Sequence, residues 1–155
     1  MRKPWVIGLI AGAIGGAINI VVSTLMGICG PFWSLGVGAI AGYLAGRFAG
    51  AVPKRSAIEA GATAGGVAGL LLALGQIVGA VGAILIMSTL SPGAPVFGGT
   101  VPDLANATPA ELIGVAVGGL GFGICFGLLG AMLSAAAGAG MAYLARALMP
   151  EAQSV

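Results

Sequence analysis

Four long apolar stretches, separated by short segments rich in proline or charge, dominate the pattern of hydrophobic and polar positions. About 20 consecutive apolar residues suffice to cross a bilayer as an α-helix. The predicted fold class is therefore all-α, a polytopic membrane protein whose single domain, residues 1–155, is a four-helix transmembrane bundle of two hairpins. The predicted spans are residues 5–29, 31–50, 56–90 and 109–149, and the segment 91–107 is predicted to be an outward polar loop.

Two of the predicted helices begin with a capping-box pattern, in which a hydroxyl residue is followed three positions later by glutamate. Ser56 and Glu59 have this spacing at the start of the third span. Thr108 and Glu111 have it at the start of the fourth span, with a proline at the first helical position. We therefore predict that these four residues cap helices.

Composition supports a membrane location and restricts the chemistry. Hydrophobic residues make up 59% of the chain and charged residues 6%, whereas a soluble domain carries about a quarter charged residues. The sequence has no histidine and two cysteines, which excludes imidazole metal sites, histidine acid–base catalysis and a closed zinc site. We expect no enzyme activity, no cofactor, no metal and no nucleic-acid partner.

The basic residues predict the orientation in the membrane. If the four spans alternate, every lysine and arginine falls on one side. By the positive-inside rule, both termini and the connection between the second and third spans are cytoplasmic, and the expected location is the plasma (inner) membrane. The basic residues are Arg2, Lys3, Arg47, Lys54, Arg55 and Arg146.

The two predicted hairpins resemble each other in sequence. AGAIGGA at 11–17 is similar to GATAGGV at 61–67, and GYLAGR at 42–47 is similar to AYLAR at 142–146. One interpretation is a tandem parallel repeat, with both hairpins in the same orientation. The other is chance recurrence in a chain rich in glycine and alanine, and the short matches do not decide between them.

The second hairpin is too long for the bilayer. At about 1.5 Å per residue, its predicted helices extend roughly 52 and 62 Å, whereas the hydrocarbon core is about 30 Å thick. Hydropathy favours a register in which the alanine- and glycine-rich ends project on the cytoplasmic side. The alternative places Tyr143 and Arg146 at the inner interface, as Tyr43 and Arg47 would be, and extends the hairpin on the loop side.

Glycine occupies 30 of the 155 positions and recurs every four residues in each span. This GxxxG spacing lets helix backbones approach closely, because the side chains on that face are absent. One interpretation is that these glycine-zipper faces hold the four helices of one monomer together; the sharper one is that at least one face points outward and joins protomers. The predicted packing residues are Gly8, Gly12, Gly16, Gly38, Gly42, Gly46, Gly50, Gly61, Gly65, Gly69, Gly119, Gly123 and Gly127.

Asn19 and Gln76 are the two carboxamides predicted near the centres of their helices. An unpaired amide in hydrocarbon is unfavourable, so each needs a partner, and the two could bond to each other between the first and third spans. They are predicted to join helices, with a polar constriction in a pore as the alternative. No ionisable residue lies in the middle of a span, which argues against coupled ion pumping.

These patterns favour a non-enzymatic membrane protein, a structural or accessory subunit that packs through its glycine faces into a homo-oligomer or a larger membrane complex. The expected partners are the lipid bilayer and other membrane helices. The alternative function is an oligomeric channel or passive transporter for a small solute, with Asn19, Gln76 or the glycine backbones lining the path.

Overall fold

Four α-helices form the protein in a computed structural model that describes residues 3–26, 29–49, 53–96, 99–101 and 103–148. They are α1 (Pro4–Met26), α2 (Gly30–Phe48), α3 (Lys54–Leu90) and α4 (Pro109–Ala147). In the connection between α3 and α4, the two-residue strands β1 (Pro95–Val96) and β2 (Gly99–Thr100) pair antiparallel. The prediction of an all-α fold is confirmed, with this small ladder as an addition.

Three of the helices are long and apolar enough to cross a membrane by length and composition. They lie at Pro4–Leu25, Lys54–Leu90 and Pro109–Ala147. The helix α2 is not among them; it is 19 residues long and carries Arg47 in its last turn. Length and composition therefore support a helical membrane protein.

The capping prediction is confirmed at α4. The Thr108 hydroxyl accepts a hydrogen bond from the Glu111 backbone N–H at 3.4 Å, and the Glu111 carboxylate accepts one from the Thr108 backbone N–H at 2.7 Å. Two backbone donors at the start of α4 thereby gain partners that the helix itself does not supply.

The capping prediction for Ser56 and Glu59 is wrong. The helix α3 begins at Lys54, with Pro53 in the N-cap position and no side-chain cap hydrogen bond. Pro53 has an extended backbone (φ −55°, ψ 148°), so the helix starts two residues earlier than predicted and Ser56 lies inside its first turn. Glu59 instead pairs with Arg55, four residues before it, at 3.2 Å.

Each helix of the first hairpin packs against the helix of the second hairpin that runs in the same direction. Gly8 lies beside Ala64 and Gly12 beside Ala68, so α1 and α3 are parallel. The helices α2 and α4 are parallel in the same way, and α3 contacts each of the other three helices. Both hairpins therefore have the same orientation, as predicted; their duplication stays a prediction.

The second hairpin extends beyond the first at the loop end. Ser34, in the first turn of α2, lies beside Gly130, so residues 109–126 of α4 extend past the start of α2 by about 27 Å. The end of α1 lies beside Gly79 and Gly82, so α3 also continues past it. This overhang, residues 83–90 and 109–126, lies at the opposite end from the one that hydropathy favours. It arises because the alanine- and glycine-rich parts of α3 and α4 form the surface on which α1 and α2 pack.

Candidate functional site

The predicted glycine face of α1 packs on α3. A Cβ placed on Gly12 would lie 2.7 Å from Ala68 Cα, and one on Gly16 would lie 3.1 Å from the Leu71 carbonyl oxygen. A Cβ on Gly8 would overlap the Ala64 carbonyl group. Real Cβ atoms essentially never lie within 3.0 Å of such atoms, so Gly8 and Gly12 bring the two helix backbones together only as glycine. At Gly16 the contact is tight, and Leu71 would have to shift by a few tenths of an ångström.

The predicted glycine face of α2 packs on α4. Any side chain on this face would overlap the α4 backbone. The fourth member of the series, Gly50, lies outside the described residues. Gly38, Gly42 and Gly46 face Ser134, Gly138 and Ala142 in turn.

Three helices meet at Gly138 of α4. On one side it contacts Gly42 of α2, and on the other it contacts Gly61 and Gly65 of α3. Nearby, the Ser134 hydroxyl donates a hydrogen bond to the Gly65 carbonyl oxygen at 2.8 Å. These contacts join α2 of the first hairpin to α3 and α4 of the second.

The remaining predicted glycines lie between α3 and α4. Gly69 packs against Ala131 from the α3 side. From the α4 side, Gly119, Gly123 and Gly127 face Ile84, Ile77 and Ala73. Every predicted packing glycine in the described part of the chain thus makes contacts within one chain. None of these described glycines supplies the outward face of the sharper interpretation.

A second glycine series, not identified from the sequence, lies on the outside of α4. None of the described residues has an atom within 4 Å of a Cβ placed on Gly114, Gly118 or Gly121. Spacings of four and three residues put them on one helical face, and the exposed Cys125 continues that face four residues later. We call these four residues the outer strip. The series was not identified from the sequence because it overlaps with the series that includes Gly119 and Gly123.

The two buried amides lie where α1 meets α3. Asn19 Nδ2 donates to the Leu72 carbonyl oxygen at 2.9 Å and lies 3.5 Å from Gln76 Oε1. Asn19 is fully buried and Gln76 is 2% exposed. The predicted contact is present, at the long limit of a hydrogen bond. Asn19 Oδ1 has no hydrogen-bond partner in the described structure.

This placement joins helices and exposes no polar lining. Ser23 Oγ, one turn after Asn19, donates to the Asn19 carbonyl oxygen at 2.5 Å and packs against Gly79 of α3. The predicted polar constriction would require an amide facing open space, whereas Asn19 and Gln76 are covered by neighbouring helices. The channel alternative stays a prediction without support from these two residues.

The three carboxylates in the described part of the chain all have local partners. Asp103 accepts hydrogen bonds from the Ala105 backbone N–H at 3.1 Å and from Asn106 Nδ2 at 2.8 Å. Glu111 is engaged by Thr108, and Glu59 by Arg55. Each of these side chains therefore stabilises a turn, a cap or a helix surface.

Comparisons with protein-family models, with curated proteins and with solved structures found no match. Function is therefore inferred from the geometry of these residues. The three strongest features are the glycine faces inside the bundle, the outer strip on α4 and an apolar groove between α1 and α2.

Proposed function

We propose that the protein is a non-enzymatic integral membrane protein, a structural or accessory subunit that associates with a second copy of itself through the outer strip of α4. The observation that carries the proposal is the open space around Gly114, Gly118 and Gly121. The larger assembly, whether a homo-oligomer alone or one within a bigger membrane complex, is built on this contact.

In the proposed topology all four helices cross the plasma (inner) membrane as two hairpins. Both termini then lie on the cytoplasmic side. In support, the cations of the described chain lie at one end of the bundle, because the parallel packing brings the starts of α1 and α3 beside the ends of α2 and α4. The positive-inside rule places such an end in the cytoplasm. These cations are Lys3, Arg47, Lys54, Arg55 and Arg146.

Glycines at a similar spacing bring two helix backbones together elsewhere in the chain. On α2, Gly38, Gly42 and Gly46 bring a second helix backbone into contact. On α4, the outer strip has the same kind of spacing and no helix against it. A glycine disfavours a helix by about 1 kcal/mol relative to alanine. An uncovered row of glycines therefore lowers the stability of α4 unless a close contact with another helix offsets it.

The surroundings of the outer strip are apolar and uncovered. Within the most apolar window of α4, 17% is buried, compared with 33% for α1. Ile113 and Val117, which lie together on one flank of the strip, are each 64% exposed. A second helix laid on the strip would cover these side chains while its backbone approaches the glycines.

Bilayer thickness adds a second argument. With 39 residues, α4 is about 58 Å long, nearly twice the roughly 30 Å of hydrocarbon. Because α1 and α2 are aligned with the charged end, the overhang extends past the part of the bundle that they cover. Apolar surface outside the hydrocarbon favours association, and a second copy with the same orientation supplies a matching surface.

The expected contact is a parallel pair of α4 helices related by a two-fold axis along the membrane normal. Both copies have the same orientation in the membrane, so their strips meet at the same depth. Parallel GxxxG pairs pack with right-handed crossings of about −40°. The axis would pass close to Gly118 and Gly121.

The test is the mass of the protein in nanodiscs, measured for Gly118→Leu and for Gly140→Leu. Both glycines are on α4, and none of the described residues lies within 4 Å of an added Cβ, so the two variants are matched in the space around the new side chain. The proposal predicts a dimer for the unchanged protein and for Gly140→Leu, and a monomer for Gly118→Leu. A dimer that persists in Gly118→Leu places the contact elsewhere and contradicts the proposal.

A further inference from the structure

An apolar groove of about 500 Å³ runs along the outside of the bundle between α1 and α2. Its lining includes the small residues Ala11 and Gly36 and the isoleucines Ile10, Ile14 and Ile40, each isoleucine being more than half exposed. Almost no polar atom contributes to its surface. Its volume is in the range of sites that hold small ligands, roughly 300–1,000 Å³.

The two ends of the groove differ in their lining. Trp33 lies at the end near the turn between α1 and α2, where its indole N–H donates to the Gly15 carbonyl oxygen at 3.1 Å. The other end is lined by Ile7 and Phe48, at the charged end of the bundle. From Ile7 to Ile18 the groove follows α1 for about 17 Å, slightly more than half of the roughly 30 Å hydrocarbon thickness.

Basic residues lie at the charged end of the groove. Lys3 directly precedes the first residue of α1, one turn before Ile7 in the groove lining. Arg47 is next to Phe48 on α2, and its guanidinium donates to the Tyr43 hydroxyl at 3.1 Å. Both cations are exposed, and neither forms an ion pair with a carboxylate of the described residues. An anionic group at this end would be attracted by two positive charges.

We propose that this groove binds one acyl chain of an anionic phospholipid from the leaflet at the charged end, with the lipid phosphate beside Lys3 and Arg47. The apolar lining accommodates the chain, and the length of the groove matches the depth of one leaflet. Trp33 lies next to the chain terminus.

A slender chain fits this groove better than a helix does. A helix is about 10–12 Å wide with its side chains, and it approaches closely only where the surface of its partner is small. Here Ile14 and Ile40 are bulky and more than half exposed, so they hold a second helix backbone away from the groove. The outer strip on α4, by contrast, has open glycines at its centre. The groove and the strip are therefore assigned to different occupants, a lipid chain and a second copy.

The test uses quenching of Trp33 fluorescence by lipids brominated near the end of the acyl chain. The chain has two tryptophans, so Trp5→Phe leaves Trp33 as the reporter. Brominated phosphatidylglycerol or brominated phosphatidylcholine is titrated into vesicles of unbrominated phosphatidylcholine that contain the protein. With two basic residues each favouring an anionic lipid by about 1 kcal/mol, half-maximal quenching is expected at a roughly 30-fold lower mole fraction of the glycerol lipid.

Two variants test the two halves of the site. Gly36→Leu places a large side chain in the lining of the groove, at a position where none of the described residues lies within 4 Å of an added Cβ, and it should abolish the saturable quenching. The double variant Lys3→Gln, Arg47→Gln leaves the groove open and should reduce the preference to less than about threefold. Gly140→Leu is the matched control, since it adds the same side chain at an open position of α4 and should preserve both the quenching and the preference.

Three outcomes would overturn the proposal. If the two brominated lipids quench Trp33 equally in the unchanged protein, the groove holds only bulk lipid. If Gly36→Leu retains the preference for phosphatidylglycerol, the chain does not lie in the groove. A loss of the dimer in Gly36→Leu, without any lipid preference, would instead assign the groove to a second copy. Gly118→Leu should keep the lipid preference, so failure of the dimer proposal is distinguishable from failure of this one.

Discussion

Gly42 on α2 and Gly138 on α4 are in direct backbone contact, so close that a methyl group on Gly42 would overlap the Gly138 carbonyl group. On its other side Gly138 contacts Gly61 and Gly65 of α3. The interior of the bundle is therefore made largely of backbone, with alanines such as Ala64 and Ala68 fully buried beside it. The stability of the bundle should be most sensitive to added volume at these contacts.

Gly42→Ala is expected to lower the free energy of unfolding by about 1–3 kcal/mol, the usual effect of adding a methyl group to a tightly packed interior. The matched control is Gly140→Ala on α4, where nothing lies within 4 Å and the higher helix propensity of alanine adds up to about 1 kcal/mol of stability. Denaturant titration in mixed micelles, followed by far-ultraviolet circular dichroism, measures both. Equal stabilities for the two variants would show that the α2–α4 contact is looser than described.

Asn19→Asp is expected to lower the free energy of unfolding by about 2.5–3.5 kcal/mol, if the residue lies near the bilayer centre. The substitution keeps the shape but replaces the donor that faces the Leu72 carbonyl oxygen and Gln76 Oε1 with a second acceptor. Asn19→Leu is the control: it removes the unpaired Oδ1 together with the hydrogen bond, so its effect should stay within about 1 kcal/mol. An Asn19→Asp variant as stable as the unchanged protein would mean that this position is hydrated.

Thr108→Ala is expected to destabilise the start of α4 by about 0.5–2 kcal/mol, because the capping hydrogen bond from the Glu111 N–H is lost. Ser56→Ala should have no such effect, since Ser56 is inside the first turn of α3 and makes no cap. Hydrogen exchange of the backbone amides in the first turn of each helix measures the difference. Faster exchange in the first turn of α3 in Ser56→Ala would instead show that Ser56 caps this helix, as predicted from the sequence.

Oxidative cross-linking in membranes should join two copies through Cys125. Both cysteines are free and exposed, but only Cys125 continues the outer strip of α4. In a Cys29→Ser background we expect a disulfide-linked dimer, because residues near a two-fold axis meet their own counterparts within the roughly 7 Å between Cα atoms that a disulfide tolerates. Cross-linking that occurs only through Cys29, in a Cys125→Ser background, would place the contact on α2.

The helix positions were predictable from the sequence because each helix needs a continuous apolar segment, and the observed bounds differ from the predictions by a few residues. The cap at Thr108 was predictable because its partners are three residues apart. At α3 the same pattern failed, since Pro53 allowed the helix to begin earlier and Arg55 engaged Glu59.

Partners of the glycine faces were not predictable, because spacing defines a face but not what lies opposite it. Gly118 and Gly119 are adjacent in sequence, yet Gly119 packs on Ile84 and Gly118 has open space. The overhang lies on the side that the alternative register predicts and not on the side that hydropathy favours, because hydropathy describes each helix alone. The position of α3 relative to α1 depends on contacts such as Gly8 with Ala64, which only the packed structure reveals.

The proposed contact through the outer strip is tested by the mass of the protein after reconstitution in nanodiscs, compared between the unchanged chain and Gly118→Leu. We expect a dimer that becomes a monomer when Gly118 carries a side chain, while Gly140→Leu remains a dimer. A monomeric unchanged protein, or a Gly118→Leu variant that remains a dimer, would contradict the proposed contact.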